Sequence, residues 1–140
     1  MEYRIEKLQK FTDKRGDLVV FLKNVELDER RKRFGQIYFI TFDGKGVVRG
    51  NHYHKKWREW FGIVNGVVEA KLQDVRTGEC VTLTLSAEHS YYTRLATSPY
   101  VAHAFKSITR SASLLNYADA EWEDGDRYPH IVIPEKKHAK

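Results

Sequence analysis

The chain has 140 residues, 41% apolar and 31% charged, with a net charge of +5, the size and balance of one globular domain with one hydrophobic core. No run of eighteen apolar residues occurs, which excludes a transmembrane helix, and the single cysteine, Cys80, excludes an internal disulfide framework and a cysteine-based zinc site. The positive charge suits an anionic partner. A phosphate-bearing small molecule fits as well as nucleic acid, and no base-reading helix or RNA-binding motif supports the latter. Residues 1–7 lack the apolar stretch of a secretion signal, so a cytoplasmic protein is expected.

No window of a dozen residues repeats apolar positions at helical spacing. Short alternating runs rich in Val, Ile, Thr, Tyr and Phe predict strands over 17–23, 35–42, 50–54, 59–65, 67–74, 80–86, 90–95, 101–108 and 113–118. Asn65-Gly66 between two apolar runs predicts a type I′ hairpin turn, and Thr77-Gly78 closes the next hairpin. Val81, Leu83 and Leu85 alternate with Thr82 and Thr84, as in a strand with one wet face. Many short antiparallel strands predict an all-β sandwich or barrel able to hold a small ligand. One domain over 1–140 is expected, its core at about 8–120, with a solvated charge run at 28–33, an acidic turn at 122–126 and a basic tail at 135–140.

In an extended segment, His52 and His54 share a strand face. Glu59 alternates with Phe61 and Ile63, and His103 with Val101 and Phe105, so both read as inward. An inward carboxylate needs a partner, because an isolated buried charge is costly. Three imidazoles and one carboxylate make a candidate divalent-metal set of His52, His54, Glu59 and His103, suited to Zn, Fe, Mn, Ni or Co. The same residues also suit metal-free acid/base chemistry near neutrality. His89, His130 and His138 read as surface groups, and Trp57, Trp60, Tyr91 and Tyr92 as core or interface. Arg49 has a structural alternative, pairing with Glu59. Asp119, Glu121, Glu123, Asp124 and Asp126 do not have the spacing of a calcium loop.

Gly46, five residues, His52, one residue, His54, four residues, Glu59, six residues, Gly66 resembles the first cupin motif at every fixed position. Pro99-Tyr100-Val101-Ala102-His103 is similar to the second, one residue short and without its glycine. This resemblance implies a single cupin, a double-stranded β-helix or jelly-roll barrel. Asp13-Lys14-Arg15-Gly16 resembles the Asp-x-Arg-Gly opening of dTDP-4-dehydrorhamnose 3,5-epimerases and dTDP-4-oxo-6-deoxyglucose 3,4-ketoisomerases. Arg49-Gly50-Asn51-His52-Tyr53-His54-Lys55 is similar to the ketoisomerase signature, and to the zinc-binding cupin half of bifunctional capsular UDP-sugar enzymes.

What the resemblance implies is an isomerase or epimerase acting on a nucleotide-linked 4-keto-6-deoxy sugar in cell-surface polysaccharide biosynthesis. His52 matches the catalytic base, His54 the second ketoisomerase histidine, and Tyr117 a proton donor. Arg15, Arg49 and Lys55 are the implied cations for a diphosphate. If metal is bound, zinc above all, its ligands are His52, His54, Glu59 and His103. Then His52 and His54 are not free bases, so the two readings exclude each other there. A homodimer is the family expectation. A non-catalytic cupin that binds metal or sugar is the alternative from another class.

Overall fold

The computed structural model describes residues 1–27, 34–121 and 125–135. The charge run at 28–33, Glu123, Asp124, His138 and most of the basic tail lie outside them. In chain order the strands are β1 (Tyr3–Gln9), β2 (Phe11–Asp13), β3 (Gly16–Leu18), β4 (Gln36–Asp43), β5 (Val48–Tyr53), β6 (Glu59–Asn65), β7 (Val67–Asp74), β8 (Cys80–Ser86), β9 (Tyr91–Thr97), β10 (Val101–Ser107), β11 (Ser111–Ala118) and β12 (Tyr128–Pro129). The one helical element among the described residues is a 3₁₀ turn at Asn24–Glu26.

Two five-stranded antiparallel sheets, β1-β9-β6-β11-β4 and β12-β5-β10-β7-β8, face each other as a jelly roll. Alternation fills the space between them. Phe42, Phe61, Ile63, Val68, Leu72, Leu85, Leu95, Val101, Phe105 and Leu114 point inward and are buried. Each such side chain contributes roughly 1.5–3 kcal/mol of burial free energy. No helix among the described residues is long and apolar enough to cross a membrane.

Three local expectations need correction. Asn65-Gly66 is not a type I′ hairpin: β6 pairs with β9 and β11, whereas β7 pairs with β10 and β8, so the turn carries the chain from one sheet to the other. Only Gly66 takes positive φ there, +76°, and a Cβ on it would lie 2.3 Å from the Ser111 carbonyl oxygen. Second, the strand expected at 17–23 ends at Leu18, and the chain then lays Phe21 and Leu22 over Trp60, Ala96 and Tyr117. Buried Arg94 clasps this crossing by donating to the Phe21 carbonyl (2.7 Å) and to the Glu6 (2.7 Å) and Glu26 (2.8 Å) carboxylates. Third, β1 lies outside the predicted strands because its polar residues mask the alternation. It pairs with β9, placing Glu6 opposite Arg94. Thr77-Gly78 does close the β7–β8 hairpin, with Gly78 N donating to the Asp74 carbonyl at 2.8 Å.

Candidate active site

The site lies between the two sheets, where β5 contributes His52 beside a backbone irregularity and His54 follows just past its end. β5 and β10 pair His52 with His103, but Gly50 with Ala104, so Asn51 is an extra residue. Gly50 and Asn51 both take positive φ, +102° and +60°. Only glycine fits at 50, because a Cβ there would lie 2.7 Å from the His103 carbonyl oxygen. This β-bulge breaks the two-residue alternation, so that Arg49 and His52 both face the cavity.

The cavity measures about 390 Å³. His52, His54, Glu59 and His103 meet in it, with the ligating nitrogens of the three histidines within 4.8 Å of one another. Glu59 Oε2 lies 3.2 Å from His103 Nε2, and Oε1 lies 3.6 Å from His54 Nε2. The Nδ1–H of His54 donates to the Asp126 carbonyl (2.5 Å) and that of His103 to the Val101 carbonyl (3.3 Å). Both rings are thereby fixed in the tautomer that turns a bare Nε2 lone pair toward Glu59. Trp57 stacks on His54 with centroids 4.2 Å apart, and Phe61 packs against His103 at 5.1 Å.

Burial sets the electrostatics. His52 is pushed down to about 4, first by desolvation and then by the neighbouring His54. His54 and His103 are also lowered, chiefly by burial. All three imidazoles are therefore neutral near pH 7. Glu59 is pushed up to about 8 by burial, then by the charges of Asp119 and Asp126. Its Oε2, although near His103, makes no hydrogen bond, and His52 Nδ1 likewise has none. A buried carboxylate oxygen without a donor, facing two oriented imidazole lone pairs, fits a divalent cation by donor chemistry and by geometry.

Of the implied cations, Arg49 lines the cavity. Arg15 does not: it sits in the β2–β3 turn, its side chain 90% exposed and paired with Asp13 at 2.6 Å. Lys55 turns away, its Nζ 4.2 Å above the Tyr128 ring. Tyr117 is corrected as well. On β11, Asn116 faces the cavity, and alternation sends Tyr117 to the outer face of the sheet. There it packs with Trp60 and accepts a hydrogen bond from Gly35 N at 3.0 Å.

The hydroxyl that does reach the cavity belongs to Tyr38, opposite Asn116 on β4 and in contact with the Gln36 amide. Its pKa is raised by burial and by the charge of Glu59. Trp57, read from the sequence as core or interface, is a wall of the site. Asp126 and Arg127 were also missed. Arg127 lines the cavity, and the buried Asp126 carboxylate accepts from Lys55 N (2.9 Å) and Lys56 N (3.3 Å). Their acidic, turn-like surroundings carry no periodicity, and more than seventy residues separate them from His54.

Comparison with known proteins agrees with this architecture. The chain is 28% identical over 127 residues to the TDP-4-oxo-6-deoxy-alpha-D-glucose-3,4-oxoisomerase of Aneurinibacillus thermoaerophilus, covering 90% of this chain and 85% of that protein. Among solved structures it is similar to a dTDP sugar isomerase from Desulfovibrio desulfuricans G20, with TM-score 0.80 and 19% identity over 93% of this chain and 84% of that one. It is also similar to QdtA, a sugar 3,4-ketoisomerase from Thermoanaerobacterium thermosaccharolyticum solved with TDP, with TM-score 0.73 and 23% identity over 89% of this chain and 85% of that one. At these identities the two structural likenesses establish the fold. Residues 11–121, most of both sheets and all four residues of the histidine–glutamate cluster, match the family described as Polysaccharide biosynthesis C-terminal domain, and the chain belongs to that family.

Proposed function

We propose that the chain is an isomerase of nucleotide-linked 4-keto-6-deoxy sugars in polysaccharide biosynthesis, working by enolisation at C3. The observation that carries this reading is the neutral, cavity-facing imidazole of His52 among two oriented imidazoles and Glu59. The curated relative, named as a 3,4-oxoisomerase, supports the substrate class.

His52 is the base. Its imidazole is neutral near pH 7 and faces the cavity. Removing the C3 proton leaves an enediolate whose charge builds on the C4 oxygen. Tyr38, with its hydroxyl in the cavity, is the donor best placed to return a proton. Return to C3 from the other face gives an epimer, and return to C4 gives the 3-keto sugar. Arg49 binds the diphosphate.

A divalent ion, zinc by donor set, would be held by His52, His54 and His103, whose ligating nitrogens lie within 4.8 Å of one another, with Glu59 beside them. With that ion bound His52 would not be a free base, so the base role belongs to the metal-free protein. Bound there, the ion would supply Lewis-acid polarisation of the C4 carbonyl.

The partner is a small nucleotide sugar and the protein a cytoplasmic homodimer. The exposed apolar side chains of Ile37 (59%) and Phe39 (68%) on the sheet-edge strand β4 support self-association, and light scattering on the purified protein tests it. Incubation with dTDP-4-keto-6-deoxyglucose, followed by NMR of the product, tests the activity. A C3 epimer or a 3-keto sugar is expected. Unchanged substrate, with other dTDP- and UDP-linked keto sugars equally untouched, favours a binding cupin instead.

A further inference from the structure

Beyond the family match, which ends at 121, the chain returns to the site as a strap over 125–133. Its far end is tied to the bulge. The Asn51 side chain accepts from Val132 N (2.8 Å) and Ile133 N (3.0 Å) and donates to the Ile133 carbonyl (2.8 Å). His130 N donates to the Asn51 carbonyl at 2.8 Å, and His130 Nε2–H to Gln73 Oε1 at 2.8 Å. Val132 and Ile133 are buried against Ala102 and Ala104. β12 adds the strap to the sheet, pairing Tyr128 with Tyr53 and Pro129 with His52.

The near end is held as firmly. Asp126 is 4% exposed, its carboxylate takes two backbone N–H groups from Lys55 and Lys56, and its carbonyl takes the His54 Nδ1–H. Between these anchors Arg127 is placed on the cavity wall, which Arg49 also lines. Two guanidiniums on one cavity suit the several oxygens of a diphosphate, since each can form a bidentate pair. The Asn51 residue that makes the bulge thus also fastens the strap, so the segment that aims His52 fixes Asp126 and Arg127 too.

We propose that this strap is part of the active site, with Asp126 as the positioning residue for His54 and Arg127 as the residue that grips the substrate diphosphate beside Arg49. The assignment rests on the nucleotide-sugar reading given above. It replaces Lys55 and Arg15 as the site's second cation.

Calorimetric titration of the full chain with dTDP, with steady-state kinetics on the keto sugar, tests it. Arg127→Gln weakens dTDP binding about tenfold or more and raises KM with kcat nearly unchanged, and Arg127→Lys recovers part of the loss. Asp126→Ala keeps the carbonyl that accepts from His54 but frees it from its carboxylate anchor at Lys55 N and Lys56 N. Its dTDP affinity stays within about twofold, while kcat falls at least about tenfold and the hydrogen-bonded Nδ1–H signal of His54 shifts and weakens in the NMR spectrum. Asn51→Gly keeps the positive φ, deletes only the tether, and produces both defects. An Arg127→Gln protein that binds dTDP like the wild type, or an Asp126→Ala protein that keeps both kcat and the His54 signal, overturns the strap's role alone. A wild-type chain that does not bind dTDP overturns the nucleotide-sugar reading together with the role of Arg127.

Discussion

Arg49 and His52 face the same cavity although they stand three positions apart on β5. A regular strand would send them to opposite faces. The extra residue at Asn51 restores the parity, and the φ of +102° at Gly50 makes room for it. Catalytic geometry here therefore depends on a backbone conformation that one glycine permits.

Gly50→Ala tests that dependence. The added methyl meets the His103 carbonyl in a conformation that L-residues resist, costing about 1–3 kcal/mol. Denaturant unfolding should show this loss, and turnover should fall further than stability accounts for, because both Arg49 and His52 are re-aimed. Unchanged stability and turnover would mean the bulge is dispensable.

Tyrosine substitutions separate the two candidate donors. Tyr38→Phe removes the hydroxyl that reaches the cavity and should lower kcat by about 10²–10⁴. Tyr117→Phe loses the hydrogen bond from Gly35 N on the outer face, costing about 1 kcal/mol of stability with turnover retained. The opposite pattern would return the proton-donor role to Tyr117.

The pH dependence of stability in metal-free protein follows from the shifted groups. His52 falls from 6.5 to about 4 on folding, and His54 and His103 also fall. Their folded forms bind protons less readily than the unfolded chain, so stability drops as the pH falls below about 6.5. Glu59 rises from 4.5 to about 8, so its folded form holds a proton more tightly, and stability declines as the pH rises from 4.5 through 8. Between 4.5 and 6.5 the three histidines outweigh the one glutamate. Thermal melts should therefore peak near pH 6.5 for this cluster, and Glu59→Gln should flatten the decline between pH 6.5 and 8. An alkaline limb as steep in Glu59→Gln as in the wild type would contradict the assignment.

Most of the strand framework was legible because Val67–Asp74 and Cys80–Ser86 alternate cleanly between a buried and a wet face. The metal-type cluster was legible because His52, His54, Glu59 and His103 lie at fixed offsets in strands or just past the end of one. Features made by long-range closure were not. Asn65-Gly66 looks like a hairpin locally, and only the pairing partners of β6 and β7 reveal a change of sheet. Tyr117 and Asn116 are neighbours in sequence, and which of them faces inward is decided by the register of β11 with β4. Asp126 and Arg127 reach the site through tethers to Asn51 more than seventy residues away, which no local pattern encodes.

Adding zinc to chelator-treated protein should raise the melting temperature, because the ion fills the histidine–glutamate cluster. Zinc at one hundred times its Kd would stabilise the protein by about 2.7 kcal/mol. His103→Ala should abolish that increment. A melting temperature that ignores added zinc contradicts the ligand role of His52, His54, Glu59 and His103.

The most direct measurement is deuterium uptake at C3 of dTDP-4-keto-6-deoxyglucose in deuterated water, followed by NMR for the wild type and for His52→Ala. The account predicts rapid uptake with the wild-type chain and none above background with a His52→Ala protein that still melts cooperatively. Equal uptake by both proteins, or none by the wild type, would contradict it.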